Sequence, residues 1–141
     1  MATWQMDLSL ERRFKEKLLL SNTVFNQTIK EICAYFPEEK SWCKHIRQYG
    51  SIDSTCIEIS SYDGIFIDEI TVRIDLRECT LPQIKCICTF ATSNNLVFAQ
   101  DNVIYDATVD TLLLLARNSS AYKFVEDPQK FLEQINKTGE S

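Results

Sequence analysis

His45 is the only histidine of the 141-residue sequence, and this limits the acid–base chemistry that the chain could carry out. A serine or cysteine nucleophile activated by histidine would have to use His45, and nothing in the sequence marks such a nucleophile. Its place between Lys44 and Ile46 is typical of a surface or boundary histidine. The GxGxxG, GxxxxGKS/T, GxSxG and HExxH patterns of nucleotide-binding proteins, hydrolases and zinc proteases are also missing. We therefore predict no catalytic residues.

A zinc site is the metal-binding arrangement to consider, because four soft ligands could meet if a third helix packed against a third strand. These ligands are Cys43, His45, Cys86 and Cys88. Zinc fingers and ribbons usually place paired cysteines about two to four residues apart in a tight turn, and neither pair has that setting. Cys86 and Cys88 are better explained as core residues beside Ile84 and Phe90. No metal and no cofactor are predicted.

The compartment is predicted from the charged N-terminal segment and the short apolar runs. Acidic and basic residues interrupt residues 1–20, where a signal peptide needs an uncharged apolar run. The leucine run at residues 112–115 is far shorter than the roughly 20 apolar residues that cross a bilayer. We therefore predict a cytoplasmic protein with no membrane partner, in which the six cysteines are reduced and mainly buried.

Negative charge is concentrated in the middle of the chain. Residues 1–50 contain 8 Lys/Arg and 6 Asp/Glu, residues 51–110 contain 3 and 10, and residues 111–141 contain 4 and 4. The net charges are therefore +2, −7 and 0, which add up to the −5 of the whole chain. The acidic segment is either a solvated surface that resists edge-to-edge association or a docking surface for a basic protein. Nucleic acid is not predicted as a partner, because phosphate backbones need clustered Lys and Arg.

Helices are predicted over residues 9–49. The first has apolar residues four apart, the second covers residues 24–36 after a cap at Ser21 or Asn22, and the third covers residues 37–49 and ends at Gly50. The apolar residues of the first helix are Leu10, Phe14 and Leu18. A short edge strand is the alternative at the N-terminus, since the following residues alternate: Trp4, Met6, Leu8 and Leu10.

A four-stranded antiparallel meander is predicted over residues 55–105. Asp63-Gly64 favours a type I′ turn, so residues 56–62 and 65–77 should form a hairpin. Residues 84–91 and 96–105 supply the third and fourth strands, and the fourth is interrupted near Asp101-Asn102. Charged residues of the hairpin make up the candidate binding face: Glu58, Asp68, Glu69, Arg73, Asp75 and Arg77.

Two more helices are predicted over residues 107–137, the first capped by Asp106 and the second opened by Asp127-Pro128. The predicted fold is thus a single α+β domain over residues 1–141, with N-terminal helices, the meander, and two C-terminal helices packed on one sheet face. This order of elements is similar to that of RWD-type modules, type III secretion chaperones and some toxin-immunity proteins. The resemblance is one of architecture, and it implies an interaction domain.

The predicted function is a small acidic protein-binding module, such as an inhibitor or immunity protein that masks a basic partner. Two alternatives stay open. The chain could be a subunit of a homodimer or another obligate oligomer, using apolar surface around Trp4 and Met6. It could also be an enzyme or a small-ligand-binding protein with a pocket between helices and sheet. The residues predicted to line that pocket are Tyr62, Phe66, Phe90 and Phe98.

Overall fold

A computed structural model describes residues 3–14 and 16–124, which form one antiparallel sheet with helices packed on it. In chain order the elements are β1 (Gln5–Arg12), α1 (Thr23–Ile32), β2 (Glu38–Glu39), β3 (Ile46–Gly50), β4 (Cys56–Ser60), β5 (Glu69–Asp75), α2 (Leu81–Ser93), β6 (Leu96–Gln100), β7 (Val103–Tyr105), α3 (Val109–Asn118) and a 3-10 helix (Ser120–Phe124). The strands of this part of the chain lie in the order β2-β3-β4-β5-β1-β6-β7. β1 therefore lies inside the sheet, and β2 and β7 form its edges.

Alternation along the strands gives the sheet two different faces. Leu8 of β1 lies opposite Val72 of β5, Leu10 lies opposite Phe98 of β6, and all four side chains are buried. Residues of α1, α2 and α3 belong to the same hydrophobic core, so these helices cover that face. We call the other side the open face. Its exposed and half-exposed strand residues are Asp7, Ser9, Glu11, Glu39, Ile46, Glu58, Glu69, Thr71, Arg73, Ala99 and Ile104.

The prediction of helices over residues 9–49 is wrong for the first and third helices. β1 replaces the first, and β2 and β3 replace the third. Pairing of β1 with β5 on one side and β6 on the other satisfies its backbone hydrogen bonds, while its alternate apolar side chains reach the core. The alternating N-terminal pattern does indicate a strand, but that strand is central and not a short edge strand. α1 is confirmed, with Asn22 as its N-cap accepting a hydrogen bond from the Phe25 N–H over 3.0 Å.

The predicted third strand is helix α2. The sequence alternates over residues 84–90, yet Ile87 between those positions is also fully buried, as a helical face allows. Thr80 and Gln83 form a capping box: the Gln83 N–H donates to Thr80 Oγ1 over 3.4 Å, and the Thr80 N–H donates to Gln83 Oε1 over 3.0 Å. Pro82 lies in the first turn, where its missing N–H costs no helical hydrogen bond. These signals at the N-terminus of α2 outweigh the alternation.

The predicted hairpin around Asp63-Gly64 is confirmed, because β4 and β5 pair in antiparallel register. Its turn is not of type I′. Residues 61–68 form a longer loop in which Gly64 has a φ of 74° and the Asp63 carboxylate accepts hydrogen bonds from the N–H groups of Ile65 and Phe66.

The predicted fourth strand is a second hairpin. Asp101 and Asn102 both have positive φ, 53° and 65°, as a type I′ turn requires, and they connect β6 to β7. The predicted interruption is therefore a chain reversal.

α3 ends at Asn118 as predicted, but its N-cap is Thr108, whose hydroxyl accepts a hydrogen bond from the Thr111 N–H, and not Asp106. The helix predicted after Asp127-Pro128 lies outside the described residues. The predicted antiparallel pairing is confirmed, whereas the layout of N-terminal helices, a four-stranded meander and two C-terminal helices is wrong. The architectural resemblance that depended on this layout loses its basis. None of the helices described has the length and apolar character needed to cross a membrane.

Candidate protein-binding face

Three of the six predicted binding residues lie together on the open face. Glu58 of β4 is opposite Thr71 of β5, and Ser60 is opposite Glu69, so Glu58 and Glu69 are diagonal neighbours on adjacent strands. Arg73 lies on the same face of β5, two residues beyond Thr71, and is the other diagonal neighbour of Glu58. The two carboxylates are thus held by the register of a hairpin, which is a rigid support.

Asp75 and Arg77 do not contribute to the open face. The Asp75 side chain is fully buried and accepts hydrogen bonds from Arg77 through Nε (3.3 Å), Nη2 (3.2 Å) and the backbone N–H (2.9 Å). The hydrogen bond to Asp75 raises the pKa of Arg77 above its ordinary value. The Arg77 guanidinium also stacks on the indole of Trp4, 3.8 Å from the ring centroid. This cluster fixes the end of β5 and leaves no carboxylate for a partner.

Asp68 lies beside the open face, in the loop that precedes β5. Its Oδ2 accepts a hydrogen bond from the Tyr62 N–H over 2.8 Å, and its Oδ1 is 3.9 Å from Lys17 Nζ. Asp68 therefore orders the loop that carries Tyr62.

The open face contains acidic residues that the sequence analysis did not select. Asp7 and Glu11 of β1 and Glu39 of β2 point to this side, because each pairs in register with an open-face residue of the next strand. The alternation of Trp4, Met6, Leu8 and Leu10 indicates this position for the β1 residues, because it places the intervening residues on the opposite face. The mildly basic N-terminal third thus supplies part of the acidic surface.

Arg73 is the basic strand residue of this face, and its charge is already neutralised. Its Nε donates to Asp7 Oδ1 over 3.1 Å, and its Nη1 donates to the Ile52 carbonyl over 3.3 Å. Partial burial, the largest single effect, acts to lower the pKa of Arg73, but the hydrogen bond to Asp7 and the nearby negative charges together outweigh it, and the pKa is raised. Within the described chain, the carboxylates of Glu11, Glu39 and Glu69 form no ion pair with Lys or Arg.

Two exposed aromatic residues stand at one end of the open face. Trp42, in the segment between β2 and β3, is 72% exposed, and Tyr62 is 64% exposed. The indole Nε1 of Trp42 donates a hydrogen bond to Glu58 Oε2 over 3.2 Å, and Tyr62 contacts the His45 ring with centroids 5.3 Å apart. Large exposed aromatic side chains beside charged groups are typical of protein-binding surfaces.

The open face is concave, with two adjoining depressions. The first, which we call the Trp42 pocket, has a volume of about 350 Å³ and is lined by Trp42, Ile46, Glu58, Ser60, Tyr62, Glu69, Thr71 and Arg73. The second has a volume of about 600 Å³ and extends over β1 to the β6–β7 hairpin. Glu69 and Thr71 line both depressions, which together we call the groove.

The other predicted sites do not form as proposed. Phe90 and Phe98 are fully buried in the core while Tyr62 is exposed, so the predicted ligand pocket is not assembled from these residues. Met6 is buried and Trp4 is covered by Arg77, so these two residues do not provide an exposed apolar surface.

The cysteines are free thiols, and no group of three or more His, Cys, Asp or Glu residues in the described ranges could hold a metal ion. Cys43 and His45 precede β3, whereas Cys86 and Cys88 belong to α2. Burial raises the pKa of Cys86 to about 11 and that of Cys88 to about 12. Thiols of this kind are poor nucleophiles and poor metal ligands near neutral pH.

The chain matches no protein-family model, no curated protein and no solved structure.

Proposed function

We propose that this protein is a non-enzymatic binding module whose open face engages a basic protein, as an inhibitor or immunity-type protein does when it masks a cationic surface. The observation that carries the proposal is the groove across the open face, with acidic strand residues along it and exposed aromatic residues at one end. A concave surface of one sign favours encounter with a partner of the opposite sign.

The charge balance of the open face supports a basic partner. Its exposed and half-exposed strand residues include five carboxylates (Asp7, Glu11, Glu39, Glu58, Glu69) and one guanidinium (Arg73), so their net charge is 1 − 5 = −4. Asp7 and Arg73 neutralise each other, which leaves the four glutamates available to pair with Lys or Arg of a partner. Such pairs, formed at the rim of an interface, contribute mainly to association rate and specificity.

The residues that line the groove favour the binding of a partner protein over catalysis. The groove holds carboxylates and aromatic rings, and the single histidine contacts Tyr62 beside it. Carboxylates and exposed aromatic rings are sufficient for binding by charge and shape.

A pull-down from a lysate of the source cell, with the full-length chain as bait, tests this proposal. The variant Glu58→Gln/Glu69→Gln removes two charges from the groove, and Glu31→Gln/Glu78→Gln removes two exposed charges outside it. We expect proteins with an isoelectric point above about 9 to be captured by the unmodified chain and by the control variant, and released by about 0.3 M salt. The groove variant should lose them. Equal capture by both variants would contradict the proposal.

A further inference from the structure

In the described part of the chain, one guanidinium contacts both an indole and a carboxylate. Arg77 stacks on Trp4 at 3.8 Å from the ring centroid, and two nitrogens of its guanidinium donate to Asp75. The stack uses the face of the cation, and the hydrogen bonds use its edge, so both interactions form at once.

The Trp42 pocket has the same kinds of partner, an indole and carboxylates, and one cation, Arg73, among its lining residues. Trp42 and Tyr62 supply its aromatic rings, and Glu58 and Glu69 supply its carboxylates. In the part of the chain that the structure describes, cations lie over the rings of Trp4, Tyr49 and Phe66, and none lies over Trp42. Arg73, which reaches the pocket, is directed to Asp7 by its 3.1 Å hydrogen bond.

We propose that the Trp42 pocket binds the guanidinium of an arginine side chain on the basic partner, an inference that rests on the function proposed above and specifies the group recognised. Glu58 and Glu69 are diagonal neighbours, which lie about 7–8 Å apart with their Cβ atoms somewhat closer. A planar cation with donors on several edges can contact both carboxylates while it stacks on the indole. A lysine ammonium is a compact, strongly hydrated charge that gains less from a flat ring.

The indole is already in place before the arginine arrives. The hydrogen bond from Trp42 Nε1 to Glu58 Oε2 restrains a side chain that is otherwise largely exposed. Fixing an aromatic side chain in advance lowers the entropy lost on binding, which is a common property of interface hot spots.

Calorimetric titration of the full-length chain with two peptides tests the inference. One is a glycine–arginine repeat, and the other is a glycine–lysine repeat of equal length and charge. At about 50 mM salt we expect the arginine peptide to bind about five- to tenfold more tightly. Trp42→Ala should remove this preference and leave the lysine peptide within about twofold of its original affinity. Trp42→Phe, which keeps a ring but loses the hydrogen bond to Glu58, should give an intermediate preference.

Tyr35→Ala is the matched control, because Tyr35 is an exposed aromatic residue outside the groove and should leave both affinities unchanged. If the two peptides bind equally and Glu58→Gln/Glu69→Gln weakens the binding of both, the inference of an arginine pocket is wrong, whereas the proposed binding of a basic partner at the open face is supported. A preference for arginine that survives Trp42→Ala would also overturn the pocket. If neither peptide binds the unmodified chain, both the inference and the proposed function fail.

Discussion

The indole Nε1 of Trp42 and the carboxylate Oε2 of Glu58 are joined by a 3.2 Å hydrogen bond on the open face of the sheet. Trp42 lies in the segment before β3, and Glu58 lies within β4, so the bond connects a loop to a rigid strand. It keeps a large aromatic side chain beside the acidic groove although that side chain is 72% exposed. In the candidate site, the strand register thus fixes the positions of the carboxylates, and one of these carboxylates, Glu58, restrains the Trp42 indole.

The β3–β4 connection should depend on glycine at position 50. Gly50 has a φ of +86°, and a Cβ added there would lie 2.5 Å from the Thr55 carbonyl oxygen. Gly50→Ala should therefore lower the free energy of unfolding by about 3 kcal/mol, measured by urea denaturation. Gly64 is the matched control: its φ is +74°, but nothing lies within 4 Å of an added Cβ. Gly64→Ala should cost only about 1 kcal/mol. Equal losses would show that the contact with Thr55 is absent.

The buried carboxylate of Asp75 should be essential for stability and not for binding. Asp75→Ala leaves the Arg77 N–H and guanidinium without their acceptor, so we expect a loss of about 2–4 kcal/mol in the free energy of unfolding. Glu69→Ala, an exposed substitution on the same strand, should change it by less than about 0.5 kcal/mol. Urea unfolding of both variants measures the difference, and a similar small effect for the two would refute the structural role of Asp75.

Asp63 should make the stability of the β4–β5 loop depend on pH. Hydrogen bonds from the N–H groups of Ile65 and Phe66 lower the pKa of its carboxyl group in the folded chain. A group with a depressed pKa stabilises the fold above its unfolded pKa, and this contribution disappears as the pH falls through the lower, folded value. The difference in unfolding midpoint between the unmodified chain and Asp63→Ala should be largest above about pH 5 and should shrink toward pH 3. A difference that stays constant with pH would contradict this account.

The buried cysteines should resist alkylation in the native protein. Burial raises the pKa of Cys56 to about 11, and that of Cys79 and of Cys88 to about 12. At pH 8 the thiolate fraction of each is therefore at most about one in a thousand. Iodoacetamide followed by peptide mass spectrometry should show modification of the half-exposed Cys43 first, and of all six in urea. Native-state labelling of Cys56 as fast as that of Cys43 would argue against the packing of β4.

The parts of the fold that could be predicted are those whose signals are local. The Asp63-Gly64 turn, the Asn22 cap and the interruption near Asp101-Asn102 each depend on a few neighbouring residues, and each marks a real boundary, although the last is a chain reversal. The Thr80–Gln83 capping box is equally local, and it could have identified α2 as a helix. The prediction of a strand there depends instead on an alternation over residues 84–90, which a buried helix also permits.

The central position of β1 could not be predicted, because it depends on pairing between distant segments. Gln5 pairs with Asp75 and Arg12 with Leu96, contacts that no local pattern encodes. The same error hid part of the site. The alternation of β4 and β5 places Glu58, Glu69 and Arg73 on one face, whereas the segment that carries Trp42 falls within the third helix predicted over residues 37–49. Sequence alternation thus identified the carboxylates of one hairpin but not the elements that complete the groove.

Chemical-shift mapping of the amide and indole N–H signals of the full-length chain, titrated with the glycine–arginine peptide, tests the docking face most directly. The account predicts saturable shifts concentrated at Glu58, Glu69, Thr71 and the Trp42 indole, reduced in Glu58→Gln/Glu69→Gln and retained in Glu31→Gln/Glu78→Gln. Residues of the groove between α1 and α2, such as Thr28 and Thr89, should not shift. Shifts confined to that helical groove, or no saturable shift on the open face, would contradict the account.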